Sequence, residues 1–83
     1  MKRVAYKKDA VKGLTKLPDG VSKAIRAKLE RYAATGAGDV KALVGRPGTR
    51  LRYRAYRAIF VETETKIDVL FVGPRKSIYE RGG

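Results

Sequence analysis

Arg50 to Phe60 reads RLRYRAYRAIF, and its first eight residues hold four arginines and two tyrosines with no acid among them. In a strand, residues two apart share a face, so Arg50, Arg52 and Arg54 line one side while Leu51 and Tyr53 point to the other. A helix would scatter the same arginines around its cylinder. The β-branched and aromatic runs that follow, IFV and IDVLFV, favour strands. Three strands are therefore predicted, over Arg50 to Arg54, Tyr56 to Glu62 and Lys66 to Val72. They are joined by RA and TET, the short links of antiparallel hairpins.

Upstream of this stretch the period changes. Val4 and Tyr6 share a face at period two, which predicts a short strand over Lys2 to Tyr6. Ala10, Val11, Leu14 and then Leu17 recur at three- and four-residue spacing, as in a helix from Lys8 to Lys16 that Pro18 ends. Asp19 is placed to cap a second helix with the apolar stripe Val21, Ala24, Ile25, Leu29, Tyr32 and Ala33. Lys23, Arg26, Lys28, Glu30 and Arg31 mostly face elsewhere, and Gly36 supplies the stop. The next stretch, GAGDVKALVGRPGT, lacks the Lys-Ser/Thr ending of a phosphate-cradling loop and follows no strand, so it reads as a helix stop and connector. The order is βααβββ: an α+β fold of two layers, with two antiparallel helices packed on a small, mainly antiparallel sheet. Residues 1–83 form a single domain.

Composition narrows the function. Twenty Lys and Arg against eight Asp and Glu leave a net charge of +12 on 83 residues, which attracts phosphate polymers, anionic surfaces or an acidic protein. With 43% hydrophobic residues and three prolines the chain is expected to fold rather than to serve as a basic tail. The absence of cysteine removes disulfides and thiolate metal sites. The absence of histidine removes the usual zinc ligand and proton shuttle, so neither metal nor cofactor is expected. No apolar run approaches the ~20 residues needed to cross a bilayer. The opening MKRVAYKKDAVKG lacks the apolar core of a signal peptide, which predicts a cytoplasmic protein with no membrane role.

An ordinary solvated sheet face would also carry alternating arginines. Arg57 and the ending VGPRKSIY shift the balance, because antiparallel pairing brings Arg75 and Tyr79 back toward Arg57. Five arginines then converge on one concavity, and guanidinium forks match phosphate oxygens in geometry as well as charge. In their order, VKALVGRPGTRLRYRAYRAIF and VLFVGPRKSIY resemble the RelE/ParE superfamily of bacterial toxins, and more nearly its RelE-type ribonuclease branch, over nearly the whole chain.

That resemblance implies a ribosome-dependent endoribonuclease, cutting mRNA in the decoding site and held inactive in a hetero-oligomer with an acidic antitoxin. Carried over, the family's basic residues on the first hairpin strand fall at Arg50 and Arg52, the arginine of its YR element at Arg57, and its C-terminal arginine and tyrosine at Arg75 and Tyr79. Arg54 and Lys76 join Arg50 and Arg52 as contacts to mRNA or rRNA backbone. Where many relatives have a small or acidic pair before YR, this chain has Arg54 and Ala55, a turn without the Gly, Asn or Asp that suits a two-residue hairpin.

Internal attack on RNA needs the 2′-hydroxyl deprotonated, the phosphorane charge stabilised and the 5′-oxygen protonated, with no metal required. Arginine stays protonated, so Arg57 and Arg75 are assigned to the phosphate and Tyr79 to proton transfer or orientation. Two alternatives stay open at this point. One is a ParE-like gyrase inhibitor, which does not need the Arg-Tyr ending. The other is a plain RNA-binding module, for which aromatics on the basic face are expected.

Overall fold

Seven elements make up the computed structural model, which describes residues 2–75. In order they are β1 (Arg3–Tyr6), α1 (Lys8–Lys16), α2 (Asp19–Thr35), β2 (Val40–Ala42), β3 (Thr49–Tyr53), β4 (Tyr56–Glu62) and β5 (Lys66–Pro74). The strands form one sheet in the order β1-β5-β4-β3-β2. Within it β1 runs parallel to β5, and the other neighbours are antiparallel. The two-layer α+β arrangement is as expected, with one strand added to the predicted βααβββ. That strand, β2, lies in the stretch read as a connector. At three residues it is too short to show an alternation, and its pairing with β3 from Val40↔Leu51 to Ala42↔Thr49 is what makes it a strand.

The helices cover one face of the sheet. Ala10 and Leu14 of α1, Leu17 just beyond it, and Ile25, Leu29 and Ala33 of α2 meet Leu51, Ala58, Phe60, Ile67, Val69 and Val72 in one core. Val11 stays 43% exposed, because at 100° per residue it stands beside the line through Ala10, Leu14 and Leu17 rather than on it. The expected Asp19 cap is not formed. Pro18 holds the N-cap position with extended backbone, and its carbonyl accepts the N–H groups of Val21 and Ser22 at 3.0 Å. Asp19 sits instead in the first turn, where its charge suits the positive end of the helix dipole. Gly36 ends α2 as predicted, with φ of 76° and its N–H donated to the Tyr32 carbonyl at 2.8 Å.

One glycine explains how closely the layers approach. A mid-helix glycine costs about 1 kcal/mol relative to alanine, yet Gly13 stands inside α1. A Cβ there would lie 1.8 Å from the Val72 carbonyl oxygen, so the helix backbone rests directly on β5. A second fastening ties Lys2, just before β1, and Tyr32, near the end of α2, to the end of β4. Glu62, at the end of β4, accepts hydrogen bonds from Lys2 Nζ at 2.6 Å and the Tyr32 hydroxyl at 2.9 Å. The Tyr32 ring packs on Phe60 at 5.3 Å. The Lys2 bond holds the Glu62 carboxyl below its ordinary range against a smaller opposing effect of burial. Burial, then Glu62 itself, pushes the Tyr32 phenol up.

Two outcomes are expected. Gly13→Ala should destabilise the fold by about 1–3 kcal/mol despite its better helix propensity, because the added methyl overpacks against backbone. Urea midpoints measure this, and a midpoint at or above that of the parent would mean that α1 can lift off β5 freely. Glu62 binds its proton more weakly folded than unfolded, so its stabilisation is complete above the ordinary pKa of 4.5 and fades as pH falls through that value toward the folded one. Glu62→Gln should therefore flatten the acid limb of a melting-temperature profile as pH falls through 4.5 and below.

Candidate functional site

Leu51 enters the core, and period two then turns Arg50 and Arg52 away from the helices. The β3–β4 register sets Arg57 opposite Arg52 and Ile59 opposite Arg50. On the far side of β4, β5 places Gly73 opposite Arg57 and Phe71 opposite Ile59, and β2 brings Lys41 opposite Arg50. Lys41, Arg50, Arg52 and Arg57 thus share the face that the helices leave uncovered. Like charges directly opposite each other repel, so the Arg52 and Arg57 pairing costs the free fold something.

Arg57 is the most confined of these. It is 6% exposed, and its Nη1 donates to the Tyr56 carbonyl at 3.2 Å. Beside it Gly73 has no side chain, and the Phe71 ring folds over the space: a Cβ at position 73 would stand 3.1 Å from the ring's Cζ. A largely buried guanidinium acts through a lower effective dielectric than an exposed one, and held in place it need not reorganise when charge develops nearby.

Arg75 returns to this end of the sheet as expected. Its N–H donates to the Ala55 carbonyl at 2.8 Å, which ties the segment after β5 to the β3–β4 turn. Lys76 and Tyr79 lie outside the described residues.

The arginine stretch holds no acid of its own, but Arg52 Nε donates to Asp39 Oδ2 at 2.9 Å and the Arg52 N–H to the Asp39 carbonyl at 2.9 Å. Asp39 comes from the loop before β2, thirteen residues away. The two side chains are 58% and 62% exposed, and such a pair contributes about 0–1 kcal/mol, little enough for a phosphate to exchange with it. Contrary to expectation, Arg54 does not line the arginine face. It is the first residue of the two-residue turn, with φ of 56°, and its guanidinium lies 5.4 Å from the Tyr53 ring centroid, near the side of the sheet that carries the helices. The positive φ gives the turn the primed sense that matches strand twist. Left-handed backbone costs an L-residue about 1–2 kcal/mol, and an exposed cation–π contact returns only about 0.5–1 kcal/mol.

Sequence reasoning missed Asp39 and Lys41. The signal was the fragment DVKA, in which Val40 alone is apolar and Lys41 alternates away from it, but glycines on both sides masked so short a strand.

No protein-family profile matches the sequence, and no curated protein does. Solved structures match strongly. The RelB-RelE antitoxin-toxin complex from Methanococcus jannaschii is 25% identical, with 94% of this chain and 98% of that chain covered and a TM-score of 0.77. The archaeal RelE-RelB complex from Pyrococcus horikoshii is 25% identical over 89% and 94%, at 0.74. A mutant of E. coli toxin RelE in the free state is 17% identical over 98% and 90%, at 0.78. The chain has the fold of the RelE-type toxin superfamily, as its sequence resemblance implied.

If Asp39 holds Arg52 back from anions, Asp39→Asn should tighten binding of a single-stranded RNA oligonucleotide and steepen its salt dependence by up to about 0.7 of log–log slope. Equilibrium binding across a salt series measures this, and an unchanged slope would leave Arg52 without a role in holding phosphate.

Proposed function

We propose that this chain is the toxin of a type II toxin–antitoxin pair, acting in the cytosol as a ribosome-dependent endoribonuclease on mRNA in the decoding site. The observation that carries the reading is Arg57: an arginine only 6% exposed, on a face bearing Arg50, Arg52 and Lys41 and beside the returning Arg75. Such a group suits stabilisation of charge better than gathering of substrate. The RelE fold supports the toxin assignment, since the matched solved structures include RelB-RelE complexes.

In the proposed reaction the 2′-oxygen forms a bond to phosphorus as its proton is removed, and the phosphorane collapses by breaking the bond to the 5′-oxygen, which takes a proton. A cyclic phosphate and a 5′-hydroxyl remain, with no oxidant, metal or cofactor consumed. Arg57 and Arg75 stabilise the phosphorane oxygens. Arg50, Arg52 and Lys41 hold the flanking backbone, Lys76 extends that contact, and Tyr79 moves or orients the proton. The +12 charge suits an acidic antitoxin as the neutralising partner.

Single-turnover cleavage of ribosome-bound mRNA tests the enzyme. Arg57→Ala should lose roughly 10²- to 10³-fold in rate, with a much smaller change in ribosome binding. Arg57→Lys, which keeps the charge, should recover part of that loss and serves as the control for folding. Tyr79→Phe should lose about 10²-fold if the hydroxyl handles a proton. A parent chain that leaves ribosome-bound mRNA intact but blocks gyrase supercoiling would replace this reading with the ParE-like one. For the partner, the acidic product of an adjacent gene should raise the melting temperature, by about 2.7 kcal/mol of stabilisation at one hundred times its dissociation constant.

A further inference from the structure

We propose a second RNA-backbone site on the opposite side of the hairpin tip, where Lys28 and Arg54 converge on Tyr53. It rests on the RNA-directed reading above and extends it to residues on the helix side of the sheet. Tyr53 and Tyr56 face each other across the two-residue turn and pack, half-buried, against the edge of the core. Lys28 reaches down from α2 to place Nζ 5.5 Å from the Tyr53 centroid, and Arg54 places its guanidinium carbon 5.4 Å from the same point. Both side chains are exposed, and among the described residues neither has an ion-pair partner.

Two cations gathered on one ring lie within about a Debye length (~10 Å) of each other and repel. The ring attracts each of them without neutralising either. Arg54 moreover sits in left-handed backbone that glycine or asparagine adopts at less cost, and its contact with Tyr53 does not make up the difference. The repulsion is relieved when an anion occupies the site, whereas the backbone cost of Arg54 persists. Phosphates of an RNA backbone match it: the Arg54 fork takes two oxygens of one, and the Lys28 ammonium makes a point contact to another. RNA is favoured as the source because Arg52 and Arg57 lie on the other side of the same hairpin tip. A strand rounding that tip would meet cations on both sides.

The test measures affinity for a single-stranded RNA oligonucleotide from about 50 to 200 mM salt, where each phosphate neutralised contributes about 0.7 to the log–log slope. Lys28→Gln and Arg54→Gly are compared with Arg50→Gln on the other face. Both tip variants are expected to flatten the slope by about 0.7, and Arg54→Gly to raise the urea midpoint at the same time. Gained stability with lost salt dependence is a combination that a purely structural Arg54 would not give. Slopes unchanged in Lys28→Gln and Arg54→Gly, while Arg50→Gln flattens, would overturn the second site and leave the RNA reading standing. Flattening in only one tip variant would overturn the shared site. No change in any of the three would remove RNA from both faces, whereas change confined to the tip pair would support this site and count against the arginine face.

Discussion

Burial of Leu51 opposite Ala58 is the constraint on which the functional face depends. Both are 1% exposed or less, and with Phe60 they hold the β3–β4 hairpin against the helices. A slip of one residue in β3 would turn Arg50 and Arg52 into that core and Leu51 into water. Burying guanidiniums without partners costs several kcal/mol each, so the register is strongly enforced. The arginines are aimed by the apolar residues between them.

A bulge extends the same control to β5. Ile59 pairs with Phe71 but Phe60 with Val69, which leaves Leu70 as the extra residue, 36% exposed. Ile67 and Val69 face the helices before the bulge, and Val72 faces them after it. Strict alternation would have turned Phe71 and Gly73 inward instead. The shift sends Val72 toward α1, where only a glycine at position 13 fits against its carbonyl, and it delivers Gly73 and the Phe71 ring to the side of Arg57. One inserted residue thus sets both the closest helix–sheet contact and the surroundings of the buried guanidinium. Bulges beside functional sites commonly re-aim side chains in this way.

Three of the eight acids hold the fold or restrain the face. Glu62 ties Lys2 and Tyr32 to the end of β4, Asp39 meets Arg52, and Asp68 lies 3.2 Å from Lys66 as a charge contact rather than an aligned hydrogen bond. With +12 left over, self-repulsion lowers the stability of a domain already small for a single core. A polyanion or an acidic partner would relieve that repulsion, which links occupancy of the basic surfaces to stability of the whole chain.

Periodicity by itself determined the element types, the hairpin, the ends of α1, the Gly36 stop and the side of the sheet on which Arg50 and Arg52 stand, because each follows from spacing within a dozen residues. The +12 charge and the missing cysteine and histidine likewise bounded the chemistry without coordinates. Other features were decided only by contacts between distant residues. β2 exists because β3 pairs with it, and Asp39 reaches Arg52 because that pairing brings its loop alongside. Arg54 left the arginine face because closing a two-residue turn required positive φ at a position where local alternation predicted a strand. The Asp19 cap gave way to the Pro18 backbone, and the bulge at Leu70, invisible to a period-two count, carried Gly73 to Arg57. Local spacing fixes which way a side chain starts out from its own strand or helix, whereas its neighbours are set by how the layers close.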